Sequence, residues 1–188
     1  MPLKPGTHHI TAGSGRIFIY TFKEGFLSAV AHDLLLEAKN FTVSLNIPPE
    51  GAGISNVEAE IHANSLKVLC AMKDGNQCYD TLKEKDRKEI EEAIIKDVLH
   101  PGKYPTVKFC STKGIEGKVG ALVKGELTLH GTTHPIEFPV TSASEGHISG
   151  KFVVKQKEYG IKPYKALLGT LKVKNEVEID FELTLPGV

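Results

Sequence analysis

The sequence has no tryptophan and only two arginines, Arg16 and Arg87, and neither sign of charge is in excess: 23 Lys and Arg face 23 Asp and Glu. A balanced total leaves no electrostatic footprint for DNA, RNA or an acidic membrane surface. Lysine is also the poorer choice for bidentate recognition of phosphate or bases. Nucleic acid is therefore not an expected partner. Long hydrophobic runs are absent too. Stretches such as Leu34-Leu35-Leu36 fall far short of the ~20 residues that span a bilayer as a helix. The segment Met1 to His9 contains no apolar stretch, which predicts no signal peptide. The expected location is the cytoplasm, or the periplasm if a leader has been trimmed. Cysteine is scarce and odd in number, at three among 188 residues. A chain of this size buries enough core to need no disulfide staples, so Cys70, Cys78 and Cys110 are expected to be reduced.

What the sequence does have is alternation. Leu171, Val173, Val177, Ile179, Phe181 and Leu183 share one parity, interrupted only at Asn175, and charged residues fill the other. Phe41 to Ile47, Val57 to Ala63, Val107 to Phe109, Val123 to Leu129, Ile136 to Val140 and Ile148 to Val154 repeat the pattern. Period-two alternation marks strands with one buried face. Ile17 to Phe22 is apolar on both parities, as in a strand covered on each side. Pro48-Pro49-Glu50-Gly51, Gly131-Thr132 and Glu145-Gly146 supply turn chemistry between the runs.

One segment changes period. From Thr81 to Leu99, Leu82, Ile90, Ile94 and Val98 follow helical spacing in a background of Lys, Glu and Asp, and His100-Pro101-Gly102 ends the run. A brief helical turn over Glu24 to Ala31 is a further expectation. Short links between long strands predict antiparallel neighbours. Closing the sheet disposes of its edges. The expected architecture is one all-β domain over 1–188: a closed, antiparallel, up-and-down β-barrel of about eight strands with one inserted α-helix.

Several stretches are more specific: Ala31-His32-Asp33-Leu34, Glu84 to Ile90, Tyr104-Pro105-Thr106-Val107-Lys108-Phe109, Gly125 to Ile136, and Tyr159 to Tyr164. Taken together they resemble the YceI-like family, in the leaderless branch with an early His-Asp pair. The resemblance departs from the family pattern at Tyr159, where phenylalanine is expected, and at Ala31, where glycine is. It implies a lipocalin-like barrel that binds polyisoprenoid or related lipid chains.

Candidate chemistry is sparse. His32 shares a parity with Leu34 and Leu36, which would place an imidazole at one end of an apolar cavity; the alternative is a rim histidine bonded to backbone or carboxylate. His130 and His134 flank a hairpin turn and read as surface residues, since a metal would need three or four converging ligands. Cys70 and Cys78 read as ordinary loop cysteines. No Gly-x-Ser-x-Gly, His-Glu-x-x-His or phosphate-binding glycine loop occurs, and no metal or cofactor is expected. Lys73, Lys162 and Lys165 stand as solvated lysines or as contacts for an anionic head group.

The leading functional expectation is non-catalytic binding, carriage or sequestration of an isoprenoid or fatty-acyl chain inside the barrel. The expected ligand-binding residues are His32, Leu34, Leu36, Val43, Ala63, Phe109, Phe138, Phe152 and Phe181. The missing tryptophan and the small Ala59, Ala63 and Gly125 favour an open tunnel. The alternatives are an enzyme acting on such a ligand through His32 and Asp33 or the His130/His134 pair, and an interaction module whose barrel is filled by its own side chains. A homodimer is compatible with the sequence.

Overall fold

The computed structural model of the chain describes residues 5–25, 31–49, 54–113, 121–143 and 146–185. The helical turn expected over Glu24 to Ala31 falls largely outside these, as do Glu50-Gly51 and Glu145 of two expected turns. Within them, strands β1 (Gly6–Thr11), β2 (Gly15–Glu24), β3 (Asp33–Ala38), β4 (Phe41–Ile47), β5 (Asn56–His62), β6 (Leu66–Lys73) and β7 (Asn76–Cys78) come first. Helix α1 (Glu84–Ala93) then runs into a π-helical turn, Ile94–Leu99. Strands β8 (Thr106–Ser111), β9 (Ala121–Leu129), β10 (Thr132–Ala143), β11 (His147–Lys155), β12 (Lys165–Ala166) and β13 (Leu171–Thr184) complete the chain.

All thirteen strands belong to one curled antiparallel sheet, in the order β1-β4-β5-β8-β9-β10-β11-β13-β2-β3-β6-β7 with β12 added on β13. The count differs from the expected eight in two ways: three long strands are each broken in two, and β7 and β12 are short additions of three and two residues. β1 runs into β2 across 12–14, β3 into β4 across 39–40, and β5 into β6 across 63–65. Pairing continues across each break: Ile10 faces Val43 and Ile19 faces Leu36, while Phe41 faces Ile61 and Ala38 faces Leu66. The breaks bond to one another, with Lys39 N–H donating to the Ser65 carbonyl (3.1 Å) and His62 N–H to that of Asn40 (3.0 Å). The interruption at Asn175 has a similar cause. The β13 register shifts between Val173 and Val177, and Asn175 Oδ1 accepts the Lys157 N–H at 2.9 Å.

The helix is present but shorter than its apolar spacing suggests. Asp86 reaches back to accept the Lys83 N–H (2.9 Å), fixing the start at Glu84, and acidic groups in the first turn complement the helix dipole. His100 ends the π turn in a left-handed conformation (φ 48°). Glu91 ties the helix to the sheet: its carboxylate accepts the Val68 N–H at 2.9 Å and pairs with Lys67 at 2.7 Å. A strand edge that would otherwise be open is thereby capped.

The loop expected around Cys70 and Cys78 is instead the β6–β7 hairpin, turned at Asp74-Gly75 with φ of 51° and 79°. Positive φ at both turn residues matches the twist of hairpin strands. Cys70 is fully buried, and burial raises its thiol pKa. Cys78 and Cys110 are also free thiols.

Candidate functional site

The concave face of the sheet surrounds a cavity of about 1080 Å³. Alternation puts Ile17, Ile19 and Thr21 of β2 and Leu34, Leu36 and Ala38 of β3 on its wall, and each later long strand adds its own parity. Leu82, Ile90, Ile94 and Val98, the apolar stripe of the helical segment, also face it. Apart from Asp86, Glu89 and the sheet-bound Glu91, the charged background of that segment is thus the outer surface of a cover over one end.

Every residue expected to bind ligand stands on this wall: His32, Leu34, Leu36, Val43, Ala63, Phe109, Phe138, Phe152 and Phe181. The phenylalanines form a connected set. Phe138 stacks on Phe152 (centroids 4.6 Å apart) and meets Phe109 at 5.4 Å and Phe181 edge-on at 5.9 Å. Gly125 does not open the tunnel as its small size suggests. A Cβ there would lie 2.4 Å from the Phe109 ring, and one at Gly150 would lie 2.5 Å from that of Phe181. The two rings therefore lie against the backbone of the sheet, and this arrangement keeps them from plugging the interior.

Polar groups gather at one end. Strand direction brings Lys23 of β2, His32 before β3, Lys172 of β13, and Gln156 and Tyr164 after β11 to the same end as Asp86 and Glu89 of α1. His32 is exposed at the rim. Asp33 does not serve it: the carboxylate accepts the Lys23 N–H at 2.7 Å, while Lys23 Nζ donates to the Ala31 carbonyl at 2.8 Å. Gln156, which sequence reasoning missed, is buried on the wall and donates to the Lys174 carbonyl at 2.9 Å. Its parity with Phe152 and Val154 was the available signal.

His130 and His134 are not the plain surface pair expected. His130 takes φ 52° at the head of the β9–β10 turn. Its ring packs on Tyr104 (4.1 Å) and approaches His100 (5.6 Å), and its Nε2 is buried without a partner. Burial, then the neighbouring His100, lowers its pKa, against a raising hydrogen bond with the Tyr159 backbone. His134 Nε2 donates to the Glu158 carbonyl at 2.9 Å, and its ring meets Tyr159 edge-on. Both histidines pin a turn. Among the described residues no three His, Cys, Asp or Glu side chains are grouped to share a metal, and no helix is long and apolar enough to cross a membrane.

Comparison with known proteins agrees with this architecture. The fold is similar to that of BcnA from Burkholderia cenocepacia (TM-score 0.63, 17% identity, covering 93% of this chain and 98% of that one). It is also similar to a polyisoprenoid binding domain from Saccharophagus degradans implicated in plant cell wall breakdown (TM-score 0.55, 14% identity, 97% and 98% covered). A stretch of 57 residues is 44% identical to a UPF0312 protein of Pseudomonas fluorescens, spanning 27% of this chain and 29% of that relative. The YceI-like domain model matches residues 21–185, and the chain belongs to that family.

Proposed function

We propose that the protein binds a long apolar chain, of isoprenoid or fatty-acyl type, inside a closed barrel of eight strands, and that it does so without catalysis. The observation that carries this reading is the cavity of about 1080 Å³, walled by aliphatic and phenyl groups, with polar groups confined to one end. Small-molecule sites commonly measure about 300–1,000 Å³, and each methylene moved into such a space contributes about 0.8 kcal/mol. Hydrocarbon length alone can thus supply affinity. A barrel packed solid with its own side chains would leave no such volume. The similar fold of a polyisoprenoid binding domain supports the choice of ligand class. Closure into eight strands is supported by the continuous pairing of β1–β2, β3–β4 and β5–β6, each taken as one strand, with β5 bonded to β8 and β13 to β2.

An enzymatic reading finds little support, since Asp33 is committed to the Lys23 backbone and His134 to the Glu158 carbonyl. Ala63 offers the direct test. It is buried on the wall at the β5–β6 break, so Ala63→Phe should project a ring into the space. Uptake of a fluorescent prenyl or acyl probe should fall at least about tenfold while cooperative thermal unfolding persists. Ile19→Phe, on the adjoining wall, should act in the same way. Equal probe binding by parent and both variants would overturn the reading. Native mass spectrometry of the purified protein should show a co-purified lipid.

A further inference from the structure

The neutral total conceals a local excess. From Lys155 to Lys174 the chain carries six lysines and a single carboxylate, Glu158. The stretch leaves β11, passes through a 3-10 turn and β12, and returns as β13 at the polar end of the cavity, where Tyr164, Leu171 and Lys172 stand on the wall. Three of its features are unfavourable in water. Lys165 and Lys172 lie directly opposite each other in the β12–β13 ladder, and like charges so placed repel. Leu168, at 107% relative exposure, has its whole side chain in solvent. Its backbone is left-handed (φ 55°, ψ 29°), a conformation leucine rarely adopts, and such strain concentrates at functional sites.

Nearby acidic groups offset part of this. Glu158 is 3.7 Å from Lys155, and Glu24 stands across the ladder from Lys172. Lys162 and Lys165 are exposed and form no ion pair among the described residues. Asp86 and Glu89 of α1 stand at the same end of the cavity but outside this stretch.

We propose that this loop seats the polar end of the cavity on an anionic lipid bilayer, with Leu168 entering the interface and Lys162 and Lys165 meeting lipid phosphates. One partner then answers two of the three features: phosphates screen the lysine repulsion, and the acyl boundary takes the leucine. The left-handed backbone fits as the geometry that holds the leucine outward. A protein partner would have to supply an apolar pocket and an acidic rim together. The choice of a bilayer rests on the proposed ligand class, because a long apolar chain resides there and the loop borders the space that would receive it.

The test is flotation of the purified full chain with vesicles of phosphatidylcholine alone and of phosphatidylcholine mixed with phosphatidylglycerol. The parent should float with the mixed vesicles, and raised salt should release it. Lys162→Gln combined with Lys165→Gln should weaken that binding roughly thirtyfold, taking each lysine at its usual worth near an anionic surface. Leu168→Asn, a residue that accepts left-handed backbone, should keep the thermal midpoint and lose about tenfold in vesicle binding. Flotation of both variants like the parent, or no flotation of the parent, would overturn the proposal. Self-association of the parent that Leu168→Asn abolishes, without vesicle binding, would assign the leucine to a protein contact and overturn it equally. Probe uptake from vesicle-free solution is measured alongside. A chain that takes up probe but ignores vesicles fails only the docking; one that floats but takes up no probe fails only the ligand reading.

Discussion

The two hydrophobic clusters of this barrel are built from different materials. One joins Ile10, Ala38, Phe41, Val43, Leu45, Leu183 and Leu185, with Phe41 its single fully buried ring and Phe181 packed against it. The other joins Phe109, Val123, Leu127, Phe138, Val154 and Tyr159, with Phe152 and Phe181 packed against it. Branched aliphatic side chains interdigitate and fill the space between strands. Rings laid over glycine cover backbone without reaching inward. Both clusters contribute to the cavity wall, but Ile10 and Phe41 of the first stand off it in packed core, whereas Phe109 and Phe138 of the second face the space.

Identical substitutions should separate the two. Phe41 is nearly inaccessible, so Phe41→Ala should cost about 3–5 kcal/mol in urea unfolding. Phe138 already borders open volume, so Phe138→Ala should cost less, about 2 kcal/mol, and should alter probe affinity more than stability. Equal costs would erase the distinction between core and wall.

A methyl group at Gly125 probes the ring-on-glycine contact itself. Gly125→Ala should cost about 1–3 kcal/mol and push the Phe109 ring inward, lowering probe uptake as well. Adding Phe109→Leu should restore part of both losses, which a double-mutant cycle would measure.

The smallest expected effect concerns acid. The folded chain favours neutral His130, whose pKa is lowered by burial and then by His100. Its contribution is complete above the unfolded-state value of about 6.5 and is lost as pH falls through it. Urea midpoints between about pH 8 and about pH 5 should therefore drop more for the parent than for His130→Asn. The difference between the two is the readout, because burial raises the Asp180 pKa and acts in the opposite sense. Parallel pH profiles would remove His130 from the account.

Strand parity was legible because it is local, and it assigned Leu34, Val43 and Phe181 to the wall without knowledge of any neighbour. The helix was legible for the same reason. What escaped was whatever depends on register. Phe109 lies over Gly125 only because Ser111 pairs with Gly125, and no spacing within either strand announces it. His130 was misplaced because parity assumes extended backbone, whereas the turn sets its φ at 52°. The β6–β7 hairpin carried a local sign, Asp74-Gly75, that the charged surroundings obscured.

Helix α1 has no fully buried residue, and its sheet-side polar anchor is the Glu91 carboxylate on Val68 and Lys67. Elements held so lightly open in sub-global steps below the free energy of complete unfolding. Its amide protons should therefore exchange with solvent well ahead of those in β10 or β13. For a chain-like ligand covered by this helix, the residence time is governed by how often that small unit lifts, so two ligands of very different hydrocarbon length can leave at similar rates.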